Sequence, residues 1–276
     1  MDATGCARIA VFDSGVGGLT VLAAVHAALP HLNLRFLGDT ARLPYGTKSA
    51  QTVERYALQA AQCLLRDGAV DALVVACNTA SSCALPALRA ALDVEVLGVI
   101  EPGAAAAVAA TRSGHIGVIG TERTVASGAY AQAVAALDPQ LVVHARATPL
   151  LVSLAEEGWF EHPATDAALR AYLQPWLTDP QVQQIDTLVL GCTHYPVFAP
   201  ALHRVIGELL GRSVTLVDSA APIASELAQR FAKSAGASSD GSGQVQLYAT
   251  DSLERFARVG GLFFPMTTSH LALIDL

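Results

Sequence analysis

Nine short apolar runs recur along the chain, separated by longer stretches of helical periodicity. They are Arg8 to Phe12, Leu34 to Gly38, Ala72 to Ala76, Val94 to Val99, Ile116 to Gly120, Leu141 to Ala145, Thr187 to Leu190, Val214 to Val217 and Val245 to Tyr248. Continuous branched runs of this kind suit strands buried on both faces, and their alternation with helices predicts an α/β chain built on mainly parallel sheets. Thr47 to Arg66 and Ala199 to Leu210 carry apolar residues at three- and four-residue spacing, and Gly68, Gly114 and Gly211 stand where helices are expected to stop. Ser234 to Gly243 has no apolar period and reads as a loop without chemistry.

Composition narrows the class of function. With 276 residues, 52% of them hydrophobic and 15% charged, the chain can bury one large core or two modest ones. Its formal charge of −7 and the lack of a dense basic run argue against direct nucleic-acid binding. The first eight residues lack the features of a signal peptide, and Ala104 to Ala110 is too short to span a bilayer, so a cytoplasmic protein without membrane attachment is expected. The five cysteines, Cys6, Cys63, Cys77, Cys83 and Cys192, show none of the paired spacings of a zinc site or a secreted disulfide framework. No metal is expected.

Two cysteines stand apart. Leu73-Val-Val-Ala-Cys-Asn-Thr79 and Leu188-Val-Leu-Gly-Cys-Thr-His194 both read as a buried strand, a cysteine, then polar residues opening a helix. An isolated cysteine in an apolar run is usually a small core residue, which is the reading for Cys6, Cys63 and Cys83. A repeated setting at two strand ends has no packing reason. It places Cys77 and Cys192 in equivalent positions of two similar halves, at the carboxyl ends of strands where ligands collect in parallel sheets. Nearby helix N-termini are expected to favour thiolate there.

Other segments supply partners. Asp13-Ser-Gly-Val-Gly-Gly18 follows the first strand, and its glycines suggest a backbone cradle for a small anion. A dinucleotide fingerprint fails because Thr20 occupies the third glycine position. Asp13 alone reads equally as a helix cap. Gly38-Asp-Thr-Ala-Arg-Leu-Pro-Tyr-Gly-Thr-Lys-Ser49 is a polar loop suited to gripping a substrate, without the spacing of a phosphate-binding loop. Lys48 and Lys233 are the only lysines, which leaves few candidates for a pyridoxal Schiff base. Glu156 and His194 are candidate partners for Cys192, each otherwise ordinary as a solvated carboxylate or a structural histidine.

Four ordered segments resemble the glutamate racemase family: Phe12 to Thr20, Gly38 to Gly46, Ala76 to Ala80 and Leu190 to Pro196. The likeness continues through Val217-Asp-Ser219 and Tyr248-Ala-Thr-Asp251, covering nearly the whole chain. This resemblance implies two similar α/β domains, residues 1–98 with 210–276 and residues 99–209, with the active site in the cleft between them. It implies a cofactor-independent enzyme, without metal or pyridoxal, that interconverts L- and D-glutamate and supplies D-glutamate for peptidoglycan. A homodimer is also implied.

Carried over by motif, Cys77 takes the proton from D-glutamate and Cys192 from L-glutamate, each acting as acid when the other is base. Asp13 assists the first thiol, and His194 with Glu156, or its neighbour Glu157, assists the second. Substrate contacts fall to Asp13, Ser14, Tyr45, Gly46, Asn78, Thr79, Thr193 and His194, with Thr121 and Thr124 as lesser candidates. Chemistry favours two thiols independently, because racemisation needs a base on one face of the α-carbon and an acid on the other. Rival readings are a racemase of another acidic amino acid such as aspartate, a thiol hydrolase using one cysteine with His194, and a binding module. The resemblance also admits a secondary interaction with DNA gyrase, for which no residue in the sequence speaks.

Overall fold

A computed structural model describes residues 7–66, 68, 70–231, 243–265 and 271–276. Its strands are β1 (Arg8–Asp13), β2 (Asn33–Gly38), β3 (Ala72–Val75), β4 (Glu95–Gly98), β5 (His115–Gly120), β6 (Val142–Ala147), β7 (Thr187–Gly191), β8 (Thr215–Val217), β9 (Val245–Ala249) and β10 (Leu271–Leu273). Its helices are α1 (Leu19–Ala28), α2 (Ala50–Arg66), α3 (Asn78–Cys83), α4 (Leu85–Ala91), α5 (Ile100–Ala110) and α6 (Glu122–Ser127), followed by α7 (Ala129–Leu137), α8 (Leu150–Glu156), α9 (Pro163–Trp176), α10 (Ala199–Leu210), α11 (Ala220–Phe231) and α12 (Leu253–Gly260). All nine expected strands are present, and β10 is an addition that the sequence pattern did not mark.

The strands form two sheets, ordered β10-β9-β2-β1-β3-β4 and β6-β5-β7-β8, with every pairing parallel. Parallel strands need crossover helices, and those helices cover both faces. The burial of β1 follows: Ile9 and Val11 enter one apolar cluster while Ala10 and Phe12 enter another on the opposite face. Two further clusters flank the second sheet in the same way.

A domain boundary at residue 210 does not match the sheets. Strand β8 lies beyond it, yet Thr187, Leu188 and Val189 of β7 pair with Thr215, Leu216 and Val217. The second sheet therefore extends to Val217, because β8 completes its edge before the chain returns through α11 to pack on α1. Helix α2 starts at Ala50 rather than Thr47, since Tyr45–Thr47 form a 3-10 turn. Gly211 caps α10 with φ 68°, the left-handed stop expected of it, whereas Gly68 and Gly114 fall in the turns beyond α2 and α5. Of the expected loop from Ser234, only Gly243 lies within the described residues; Cys6 and Lys233 lie outside them.

Topology fixes where a ligand can sit. In the first sheet the chain leaves β1 for β2 on one side and reaches β3 on the other, so a crevice opens beyond the carboxyl ends of β1 and β3. In the second, β5 is flanked by β6 and β7 in the same manner. Ser14, Cys77, Thr121 and Cys192 follow these four strands, and all line one cavity of about 350 Å³.

The loop after β1 passes tightly over β2, and a Cβ on Gly38 would lie 2.2 Å from the Gly15 carbonyl oxygen. Backbone on both sides leaves little to yield. Gly38→Ala should therefore cost about 1–3 kcal/mol, as overpacking of a filled interior does, read as a lower urea midpoint at unchanged slope.

Candidate active site

Cys77 follows β3 and caps α3, its Sγ accepting the Ala80 N–H at 3.4 Å and donating to Ser14 Oγ at 3.4 Å. The expected lowering of its pKa does not occur. Burial pushes the thiol up to about 12, and the nearby Asp13 adds to the effect, outweighing the hydrogen bonds it shares with Ser14 and Ala80. Cys77 is thus a protonated thiol at neutral pH.

Cys192 follows β7, where the chain enters a 3-10 turn, Tyr195–Phe198, before α10. Its Sγ lies 3.8 Å from His194 Nδ1. On the other side of the ring, Nε2 faces Glu156 Oε1 at 3.3 Å, an ion-pair separation without the alignment of a hydrogen bond. Burial opposes charge on His194, but Cys192, Glu156 and Asp13 outweigh it and raise its pKa to about 10. Glu156 is itself kept ionised, for although burial raises its pKa, His194 and Arg255 lower it by more. Glu156 is buried and lines the cavity while Glu157 is exposed.

Asp13 is fully buried and is absent from the cavity wall. Its carboxylate accepts the Gly15 N–H at 2.9 Å and faces Thr193 Oγ1 at 3.5 Å. Burial raises its pKa against the pull of His194 and the backbone N–H groups of Gly15, Gly18 and Ser14. The backbone N–H groups of the glycine-rich loop are thus turned onto the Asp13 carboxyl group, which corrects the reading of that loop as a ligand cradle. Space explains the glycines: a Cβ on Gly17 would lie 2.4 Å from both His194 Nδ1 and Thr193 Oγ1, and one on Gly18 2.4 Å from Asp13 Cβ.

Ser14, Tyr45, Gly46, Asn78, Thr79, Thr121, Thr193 and His194 all line the cavity, as do Cys77, Cys192 and Glu156. Thr124 does not: it sits behind Thr121, bonded to it at 3.0 Å and to Thr79 at 3.3 Å. Thr79 reaches Thr121 at 2.9 Å, so these hydroxyls join the two halves. Tyr45 is seated from behind by Asp39, a buried carboxylate that also accepts from Arg42 Nε at 2.6 Å and Thr250 Oγ1 at 2.9 Å. Lys48 is not on the cavity wall.

Arg255 was not anticipated. It lies on α12, lines the cavity and donates to Glu156 Oε2 at 3.0 Å across the cleft. The signal available was a cation shortly after the Tyr248-to-Asp251 segment in a cation-poor chain, but helical spacing alone gives no reason to pair it with Glu156. Ser153, Val152 and Pro149, around the start of α8, also line the wall.

Two thiols on facing strand ends, one with a carboxyl beside it and one with an imidazole–carboxylate pair, define a site for moving protons at a small bound molecule. The chain belongs to the Asp/Glu/Hydantoin racemase family, whose model matches residues 19–227, and so it is a racemase, an isomerase. Within that family its likeness is to glutamate racemases. It is 54% identical over 213 residues to the glutamate racemase of Geobacter metallireducens, covering 77% of this chain and 75% of that protein. Among solved structures, glutamate racemase isoform RacE1 from Bacillus anthracis superposes with a TM-score of 0.87 at 36% identity, over 98% of both chains. Glutamate racemase from Francisella tularensis in complex with D-glutamate superposes at 0.86 and 31% identity, again over 98% of both. Among the described residues no helix is long and apolar enough to cross a membrane.

The charge on His194 makes stability depend on pH in a defined direction. A pKa raised from 6.5 to about 10 gives a contribution that is complete below about 6.5 and is lost as pH rises through about 10. Urea unfolding between these limits should show this decline in the native chain, and a flatter profile in Glu156→Gln, which removes one of the anions holding the proton. Equal slopes would mean that Glu156 does not hold it.

Proposed function

We propose that the chain is a cofactor-independent glutamate racemase that exchanges the α-proton between two cysteines on opposite faces of the substrate. The observation that carries this reading is the pair of buried thiols, Cys77 and Cys192, which come from different sheets and share one cavity with room for a small amino acid. A single group tends to return a proton to the face it came from, whereas facing groups can take it from one side and supply it from the other.

The two walls differ in the charged groups beside each thiol. Cys77 holds its proton, and Cys192 has a cationic imidazole beside it. With L-glutamate, Cys192 acts as base and Cys77 as acid: Cys192 Sγ takes the α-proton, the bond electrons stay on the α-carbon, and the Cys77 proton arrives on the opposite face. D-glutamate requires the reverse protonation. Charge developing on the substrate's carboxylate would be met by donors fixed in place beforehand, in a site that excludes most water. Ser14, Tyr45, Gly46, Asn78, Thr79 and Thr193 are the residues proposed to hold substrate; Thr121 supports Thr79, and Thr124 supports both from behind. Asp13 acts on the Cys77 side through its field rather than by contact with substrate.

The four described cysteines are free thiols, which fits a reducing cytoplasm, and D-glutamate made there would serve peptidoglycan synthesis. A homodimer is proposed on family resemblance. Aspartate as the substrate, and hydrolysis through a single thiol, are the competing activities.

Purified protein incubated with L-glutamate or D-glutamate in deuterated buffer should lose optical rotation and the α-proton NMR signal together, from either enantiomer. Cys77→Ser and Cys192→Ser should each lower turnover in both directions by about 10²–10⁴-fold, the range for removing a general acid or base. Full activity in either variant would sink the two-base reading, and exchange of aspartate in preference to glutamate would reassign the substrate.

A further inference from the structure

Tyr130 lies near the start of α7 in the second half of the chain, 3% exposed, and has no place in the proton relay. Its ring is tightly seated, since a Cβ on Gly191 would lie 3.1 Å from the ring edge and one on Gly103 3.5 Å from the hydroxyl. From there the phenol donates to Asn78 Oδ1 at 2.6 Å, across the cleft and one residue from Cys77. Ser219, on the segment that returns to the first sheet, donates to the same oxygen at 3.4 Å and lies 3.4 Å from the phenol. Asn78 is 2% exposed and lines the cavity, and its Nδ2 has no hydrogen-bond partner among the described residues.

A buried amide N–H2 without an acceptor is costly, and such a group is kept where a ligand completes it. Hydroxyl protons settle which way the amide faces. Oδ1 has two lone pairs and can accept both O–H protons, one from Tyr130 and one from Ser219. With the amide reversed, one hydroxyl could donate to the other, and the second would have no acceptor in that dry corner. The arrangement thus turns Nδ2 away from the two hydroxyls.

We propose that Tyr130, assisted by Ser219, is a positioning residue that holds the Asn78 amide with its N–H2 group presented to the substrate's carboxylate. The naming of that acceptor rests on the racemase reading; the orientation itself does not. A donor beside the thiol that exchanges the α-proton meets the group on which carbanion charge is delocalised, so its direction matters most as the proton leaves. Because Tyr130 and Asn78 come from opposite sides of the cleft, the donor is correctly aimed only when the two halves are together.

Tyr130→Phe keeps the ring and removes the hydroxyl. It should lower kcat/KM roughly five- to tenfold in both directions, the scale of one neutral hydrogen bond, and should have no further effect in an Asn78→Ala background. Equal losses in both backgrounds would show a merely structural role and overturn the proposal, as would full activity of the single variant. The second readout needs no turnover: the Asn78 side-chain amide resonance in ¹⁵N-labelled protein, identified by its loss in Asn78→Ala. A single sharp pair in the native chain that doubles or broadens in Tyr130→Phe is the expected result; an unchanged pair overturns the orientation. If native protein neither racemises nor binds glutamate, the functional reading fails while the resonance still decides what Tyr130 does.

Discussion

Gly17 brings the loop after β1 against Thr193 and His194 of the loop after β7, at a separation that leaves no room for a side chain. Most of the site depends on this approach. It seals Asp13 beneath the cavity, brings Thr193 to its carboxylate, and keeps the His194 ring buried between Cys192 and Glu156. Thr20 strengthens the same junction by donating to the Thr193 carbonyl at 3.1 Å. Water excluded here is what makes the charges around the thiols strong enough to set protonation.

Burial acts on the two thiols through different neighbours. Beside Cys77 stands a carboxyl group, and both desolvation and that negative field keep the thiol's proton on. Beside Cys192 stands an imidazole whose positive charge is kept by Glu156, itself tied to Arg255. One cavity thus holds a thiol that keeps its proton and a second thiol flanked by a cation.

Polar contacts join the two halves at the cleft, beside the apolar Phe263, which packs against a cluster on each sheet. Thr79 meets Thr121 and Thr124, Tyr130 meets Asn78, and Arg255 meets Glu156 from a half-exposed position. Each such contact is worth about 0.5–1.5 kcal/mol net, and an exposed pair less.

Periodicity was enough to place nine strands, because a strand buried on both faces must be apolar throughout its length; β10 escaped, being short, at a sheet edge and largely exposed. The repeated strand-then-cysteine pattern singled out Cys77 and Cys192 for a similar reason, since a polar turn directly after a buried strand is visible locally. Glycines at 17 and 18 were equally visible but were assigned to a ligand, whereas their space is taken by Thr193, His194 and Asp13. Arg255 and Tyr130 were not singled out, and Asp39 only as one residue of a polar loop, because an arginine, a tyrosine or an aspartate becomes part of a site only through a partner distant in the chain. Sequence by itself determined the alternation of strand and helix and the chemical groups at the strand ends, which depend on local burial and turn geometry. Tertiary structure alone decided which thiol keeps its proton and which stands beside a cation, because those states follow from desolvation and from charges brought together across the cleft.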